Sequence, residues 1–185
     1  MTRCLALFIS VCLAALLLLA GCATPPPGSV PLEPMAAPTG LSNPDAGFTV
    51  RLWSNQASPR IGDFLHLQLS ATDDAYLSLY AIHSSGRTSQ LLDNVAVPGH
   101  QVLTFPGPRS PVDFRLSPPP GTETYLLIAT RQSLHWLAPA DIRQRGPLTE
   151  LNLTGMELQQ RLHQVLARQH PRSWNGAVLD LPVQP

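Results

Sequence analysis

The sequence predicts a mainly β domain, an antiparallel β-sandwich that carries one helix before its last strand. Three observations point there. Apolar and polar residues alternate in runs of about 5 to 8, Gly and Pro clusters separate the runs, and a single stretch has helical periodicity. The 20 prolines and 12 glycines among 185 residues supply the punctuation that many short strands require.

In chain order, the first run is Phe48 to Trp53, which alternates with period two from a start near Gly47. The next, Asp63 to Leu69, sets Leu65, Leu67 and Leu69 on one face and His66 and Gln68 on the other. Ala75 to Ile82 follows the turn-like Thr72-Asp73-Asp74. It is apolar on both faces, as a central strand must be. Ser84-Ser85-Gly86 makes a hairpin turn into Thr88–Leu92. Gln101–Phe105 and Val112–Leu116 are shorter strands divided by Pro106-Gly107-Pro108, and Pro118-Pro119-Pro120-Gly121 precedes a run from Glu123 to Arg131. The helix is predicted over 154–169. Thr154 and Glu157 have capping-box spacing, Leu153 and Leu158 occupy the staple positions, and Leu158, Leu162, Leu166 and Val165 form the apolar stripe that Pro171 terminates. Gly176–Val183 returns as the last strand, with Trp174 as a packing anchor.

The N-terminus has a different character. Residues 1–21 hold one charge, Arg3, followed by 17 residues from Cys4 to Ala20 interrupted only by Ser10, which are the n- and h-regions of a secretory signal. A spanning helix would sit at the short edge of the usual range, and the residues that follow favour a signal. Leu19, Ala20, Gly21 and Cys22 resemble the bacterial lipobox. That resemblance implies cleavage before Cys22 and acylation of its sulfur and amine, which anchors the chain in a membrane. Cys4 and Cys12 leave with the signal, so no thiol remains for a disulfide, a metal or nucleophilic catalysis. Ala23 after the lipidated cysteine, in place of an aspartate, implies an outer-membrane destination facing the periplasm.

Residues 22–46 read as a lipidated, Pro-rich tether, with Pro25, Pro26, Pro27, Pro31, Pro34, Pro38 and Pro44 and no apolar periodicity. Extended as polyproline II at about 3.1 Å per residue, it spans up to roughly 70 Å. The sandwich domain is expected over 47–183. The whole chain's 12 basic residues, all arginine, balance 12 acids, and this neutrality excludes nucleic acid as a partner.

The order of motifs in the domain carries a family likeness. Gly62-Asp63 opens the Leu65-x-Leu67-x-Leu69 strand, Tyr76-Leu77-Ser78-Leu79-Tyr80 leads to Gly86, and Pro120-Gly121-x-Glu123 precedes an apolar strand. In this it resembles domain of unknown function 4384, a β-rich bacterial module found in lipoproteins and in other envelope or signalling proteins. The resemblance covers about Phe48 to Ser133. Leu91-Leu92-Asp93-Asn94 departs from it by lacking a proline, and no catalytic residue comes with the likeness.

The residues themselves suggest neither an enzyme nor a cofactor. The six histidines are scattered, without metal-binding spacing; His163 and His170 could share one helical face, and Asp73-Asp74 reads as a turn. Ser84 and Ser85 beside His83 lack a nucleophile elbow. The tryptophans are the informative residues: they either plug the sandwich ends or anchor a partner. Trp136 is the leading contact candidate, with Trp53 flanked by Arg51 as the second. The expected protein is therefore a lipid-anchored outer-membrane module that binds or assembles with an envelope protein complex, such as a secretion apparatus. The alternative is a peptidoglycan or glycan binder.

Overall fold

The computed structural model describes residues 41–110, 112–146 and 148–185. The signal, the lipobox Leu19–Cys22 and the tether up to residue 40 lie outside them. Nine strands form two open antiparallel sheets. β1 (Val50–Ser54), β2 (Leu67–Ala71) and β5 (Val102–Phe105) make a three-stranded sheet in the order β1-β2-β5. β3 (Ala75–Ile82), β4 (Thr88–Val97), β6 (Gly121–Thr130), β7 (Ile142–Gln144), β8 (Thr149–Leu151) and β9 (Trp174–Val183) make a six-stranded one, ordered β7-β8-β4-β3-β6-β9. Among the described residues one α-helix, α1 (Gly155–Leu166), precedes β9.

The six-stranded sheet is the middle of three layers, which explains its composition. On β3 and β6, Leu77, Leu79, Tyr125 and Leu127 face the three-stranded sheet in the first core, while Tyr80, Leu126 and Ile128 face α1 in a second. Residues of a strand point alternately to opposite faces, so a strand covered on both sides reads as a continuous apolar run. Leu158, Leu162 and Leu166 supply the helix's contribution to the second core. The capping box forms as its spacing predicts: the Glu157 amide donates to Thr154 Oγ1 at 3.2 Å and the Thr154 amide to Glu157 Oε2 at 2.8 Å. The helix ends at Leu166, three residues short of the expected Gln169. His170 therefore sits in a 3-10 turn, off the helical face of His163.

Other departures have local causes. Val112–Leu116 is not a regular strand: it pairs with residues 62–65 through the single bridge Phe64 to Arg115, with backbone bonds from the Gly62 amide to Leu116 O, the Leu65 amide to Phe114 O and the Leu116 amide to Asp63 O, too short a ladder to form one. The run after the hairpin extends to Val97, because two register shifts let β4 stay paired with β3 past Leu92. The folded region also begins before Gly47. Leu41 is 2% exposed in the second core. Asn43 fixes this segment: its amide donates to Asn175 Oδ1 at 3.1 Å, and its Nδ2 donates to the carbonyls of Pro171 and Trp174 at 2.5 and 2.9 Å. Asn175 Nδ2 in turn donates to Phe48 O at 2.8 Å. Gly176 permits the approach, since a Cβ there would lie 2.6 Å from the Leu41 carbonyl oxygen.

One hydroxyl in the first core is not satisfied. Tyr125 packs edge-on against Phe114, fully buried, and its hydroxyl has no hydrogen-bond partner among the described residues. Removing an orphaned hydroxyl relieves a desolvation cost of about 1–3 kcal/mol. Tyr125→Phe is accordingly expected to leave stability unchanged or to raise it by about 1 kcal/mol, read from the urea midpoint; a loss above that size would show a bond not visible in the structure.

Candidate partner-contact face and the polar clusters

The outer face of the three-stranded sheet is set by register. Val50 and Leu52 point inward into the first core, so Arg51 and Trp53 must point out. Arg51 lies opposite Ser70, which lies opposite Val102; Trp53 lies opposite Gln68, which lies opposite Thr104. The result is a two-row platform with an aromatic ring and a guanidinium adjacent on one strand, bordered by small polar groups and by the exposed Val102. Arg51 is the one arginine on these three strands.

The three tryptophans have different surroundings. All three are half-buried: Trp136 and Trp174 pack against the second core, whereas Trp53 packs on neither core among the described residues and is covered on the outer face of its own sheet. Trp136 Nε1 donates to the Tyr80 hydroxyl at 2.8 Å, with ring centroids 5.8 Å apart. Burial pushes the Tyr80 hydroxyl up to about 12, against the opposing hydrogen bond from Trp136, so this phenol stays neutral. Asn94 sets the loop that carries Trp136. With φ at 49° in a bulged part of β4, it accepts from the Leu134 amide at 2.6 Å and donates to the Leu134 carbonyl at 3.1 Å. The leading sequence candidate is thus tied into the helix-side core, and the second candidate, Trp53 with Arg51, is the pair left facing outward.

A separate polar cluster locks the β3–β4 hairpin to the start of β6. His83 Nε2 is 3.2 Å from Ser89 Oγ, and its Nδ1 is 3.0 Å from Glu123 Oε2, a close approach without good hydrogen-bond alignment. The Ser84 amide donates to Glu123 Oε1 at 3.2 Å, and the Ser84 hydroxyl to Pro119 O at 2.6 Å. Burial alone would raise the Glu123 carboxyl; the His83 contact and charge, with the Ser84 bonds, outweigh it and hold the group below the ordinary carboxylate range. Ser89, His83 and Glu123 follow the order of a hydrolase triad. However, Ser89 is 5% exposed and lies within a strand paired on both sides, so the arrangement acts as a buried clamp. Sequence reading missed it because Glu123 is 39 residues from Ser84. Its signal was an acid in phase with the inward residues Tyr125 and Leu127.

Asp73 and Asp74 are both engaged. Asp74 Oδ1 accepts from the Gly99 amide at 2.8 Å and Asp73 pairs with Arg131 at 2.5 Å, so each serves a distant loop and not its own turn. Among the described residues no three His, Cys, Asp or Glu side chains converge as a metal site would require.

No curated protein and no solved structure matches the chain. The family model for a domain of unknown function (DUF4384) matches residues 59–133. That span contains β2 to β6 and ends beside Leu134, whereas β1, β7, β8, α1 and β9 lie beyond it. The chain therefore carries, from the strand that backs Arg51 and Trp53 to the loop that leads to Trp136, a module resembling DUF4384.

Proposed function

We propose that this chain is a lipid-anchored, periplasm-facing outer-membrane protein whose β domain binds a protein partner in an envelope complex, such as a secretion apparatus, through the Arg51–Trp53 face. The observation that carries this reading is that Trp53 lies on an outer sheet face beside Arg51 while the other two tryptophans pack against a core. Tryptophan and arginine are enriched among the residues that dominate protein interfaces, where truncation costs about 2 kcal/mol or more. The signal-like N-terminus and the lipobox-like Leu19–Cys22 support membrane attachment.

A photo-crosslinking residue at Arg51 in cells is expected to give one discrete adduct with an envelope protein. Trp53→Ala is expected to reduce binding of the identified partner at least tenfold, while stability changes by less than about 1 kcal/mol, the size of a cross-strand pair contribution. Loss of folding would sink the variant, in which case Arg51→Glu serves. Retention of the purified domain on sacculi through Trp53, with no protein adduct, would overturn this reading in favour of a glycan binder.

A further inference from the structure

A cleft of about 360 Å³ opens on the helix side of the β3–β4 hairpin, between the hairpin tip, β7, β8 and the first turn of α1. Arg87 from the hairpin and Arg143 from β7 both line it. Neither guanidinium pairs with a carboxylate among the described residues, whose ion pairs are His83–Glu123, Arg131–Asp73, His135–Asp93 and Arg161–Asp141. Arg87 makes one side-chain bond, from Nε to Ser85 Oγ at 3.3 Å.

Two acids share the wall, and they differ in availability. Glu157 is committed, because its Oε2 accepts from the Thr154 amide at 2.8 Å and from the Thr154 hydroxyl at 2.9 Å. Glu150, on β8, has no side-chain partner among the described residues. Two free guanidinia and one free carboxylate thus border a space large enough for a small molecule or the end of a peptide. Guanidinium forks match the planar geometry of a carboxylate, and a lone carboxylate suits an ammonium. The Glu157 amide is taken by Thr154 Oγ1, so the Gly155 and Met156 amides are what the start of α1 offers the anionic end, against the charge of the Glu157 carboxylate.

We infer that this cleft binds an α-amino-acid zwitterion, free or at the end of a peptide side branch, with Arg87 and Arg143 on the carboxylate and Glu150 on the ammonium. Arg87 lies inside the DUF4384-like span and Arg143, Glu150 and Glu157 lie beyond it, so the cleft joins the matched segment to the part of the chain that the family match does not cover. It stands independently of the Arg51–Trp53 reading.

Titration of the ¹⁵N-labelled domain with alanine at constant ionic strength is the test. Saturable shifts are expected at the Arg87 and Arg143 Nε–H signals and at the amides of Gly86 and Gly155. N-acetylalanine and alanine amide, which lack the ammonium and the carboxylate, are expected to bind at least fivefold more weakly. Arg87→Ala and Arg143→Ala should each lower alanine affinity at least fivefold, and Glu150→Gln should remove the preference for alanine over N-acetylalanine. Arg109→Ala is the control for net charge. Shifts that stay linear, equal binding of N-acetylalanine, or equal loss in the control would overturn the inference. Unchanged dispersion of the remaining signals reports that each variant is folded.

Discussion

Leu126→Ala and Leu127→Ala are each expected to lower the free energy of unfolding by about 2–5 kcal/mol, the usual cost of truncating a fully buried leucine. The two residues are neighbours on β6, both with no exposed surface, yet they face opposite layers. Leu127 belongs to the core shared with the three-stranded sheet and Leu126 to the core beneath α1. A stability of about 5–15 kcal/mol is typical of a domain, so either loss is a large fraction of the total. Because β3 and β6 form the floor of both cores, the two layers should melt together. Urea unfolding followed by tryptophan fluorescence in a Trp53→Phe background, where it reports Trp136 and Trp174 on the helix side, and by far-ultraviolet dichroism, dominated by the sheets, should give coincident curves in both variants. Separate midpoints for Leu126→Ala would show that α1 and its core detach from the sandwich first.

The second large effect is expected from Glu123. Its carboxyl is held below the ordinary range in the folded chain, so folding favours the ionised form. Stability from this group is fully present above the unfolded carboxyl value near 4.5 and is lost as pH falls through the lower folded value, since the unfolded chain then binds the proton more readily. Unfolding free energy should therefore decline as pH falls below about 4.5. Glu123→Gln removes one charge acceptor beside His83 and is expected to cost about 1–3 kcal/mol at pH 7, while flattening the decline in acid. Glu157 titrates with the same sign through its bonds to Thr154, but it is fully exposed, so Glu157→Gln is the matched control that should leave most of the slope intact. An acid slope unchanged in Glu123→Gln would refute the role of the clamp.

Much of the fold was legible because it is written in alternation. Ala75–Ile82 reads as a central strand from its two apolar faces and occupies the third-from-edge position between β4 and β6. Thr154 and Glu157 mark the helix start because capping is local in sequence. β7 and β8 escaped notice for a complementary reason: three residues each, Ile-Arg-Gln and Thr-Glu-Leu, are too short to show a period. The Val112–Leu116 expectation found a segment that does pair, with residues 62–65, but over a single bridge too short to make a strand.

The candidate face was only half legible. Alternation places Arg51 and Trp53 together on one side of β1, and register then sets their neighbours. The position of Trp136 depends on Asn94, which holds its loop from 40 residues away at Leu134 and lies in a bulge that no short-range pattern announces. The hairpin clamp and the arginine cleft likewise join segments far apart in sequence, and spacing alone cannot bring them together.

The fastening of the N-terminal segment has a mechanical consequence. Tension applied to the chain upstream of Leu41 reaches four hydrogen bonds before it reaches β1: three from Asn43 to Pro171, Trp174 and Asn175, and one from Asn175 to Phe48. Those bonds pass the pull to β9, whose ten-residue register with β6 resists sliding as a set and not one rung at a time. The strand bearing Arg51 and Trp53 begins just beyond this fastening, so its outward face is shielded from a pull on the residues upstream. On the proposed function, a partner held on that face would stay seated while those residues are tugged.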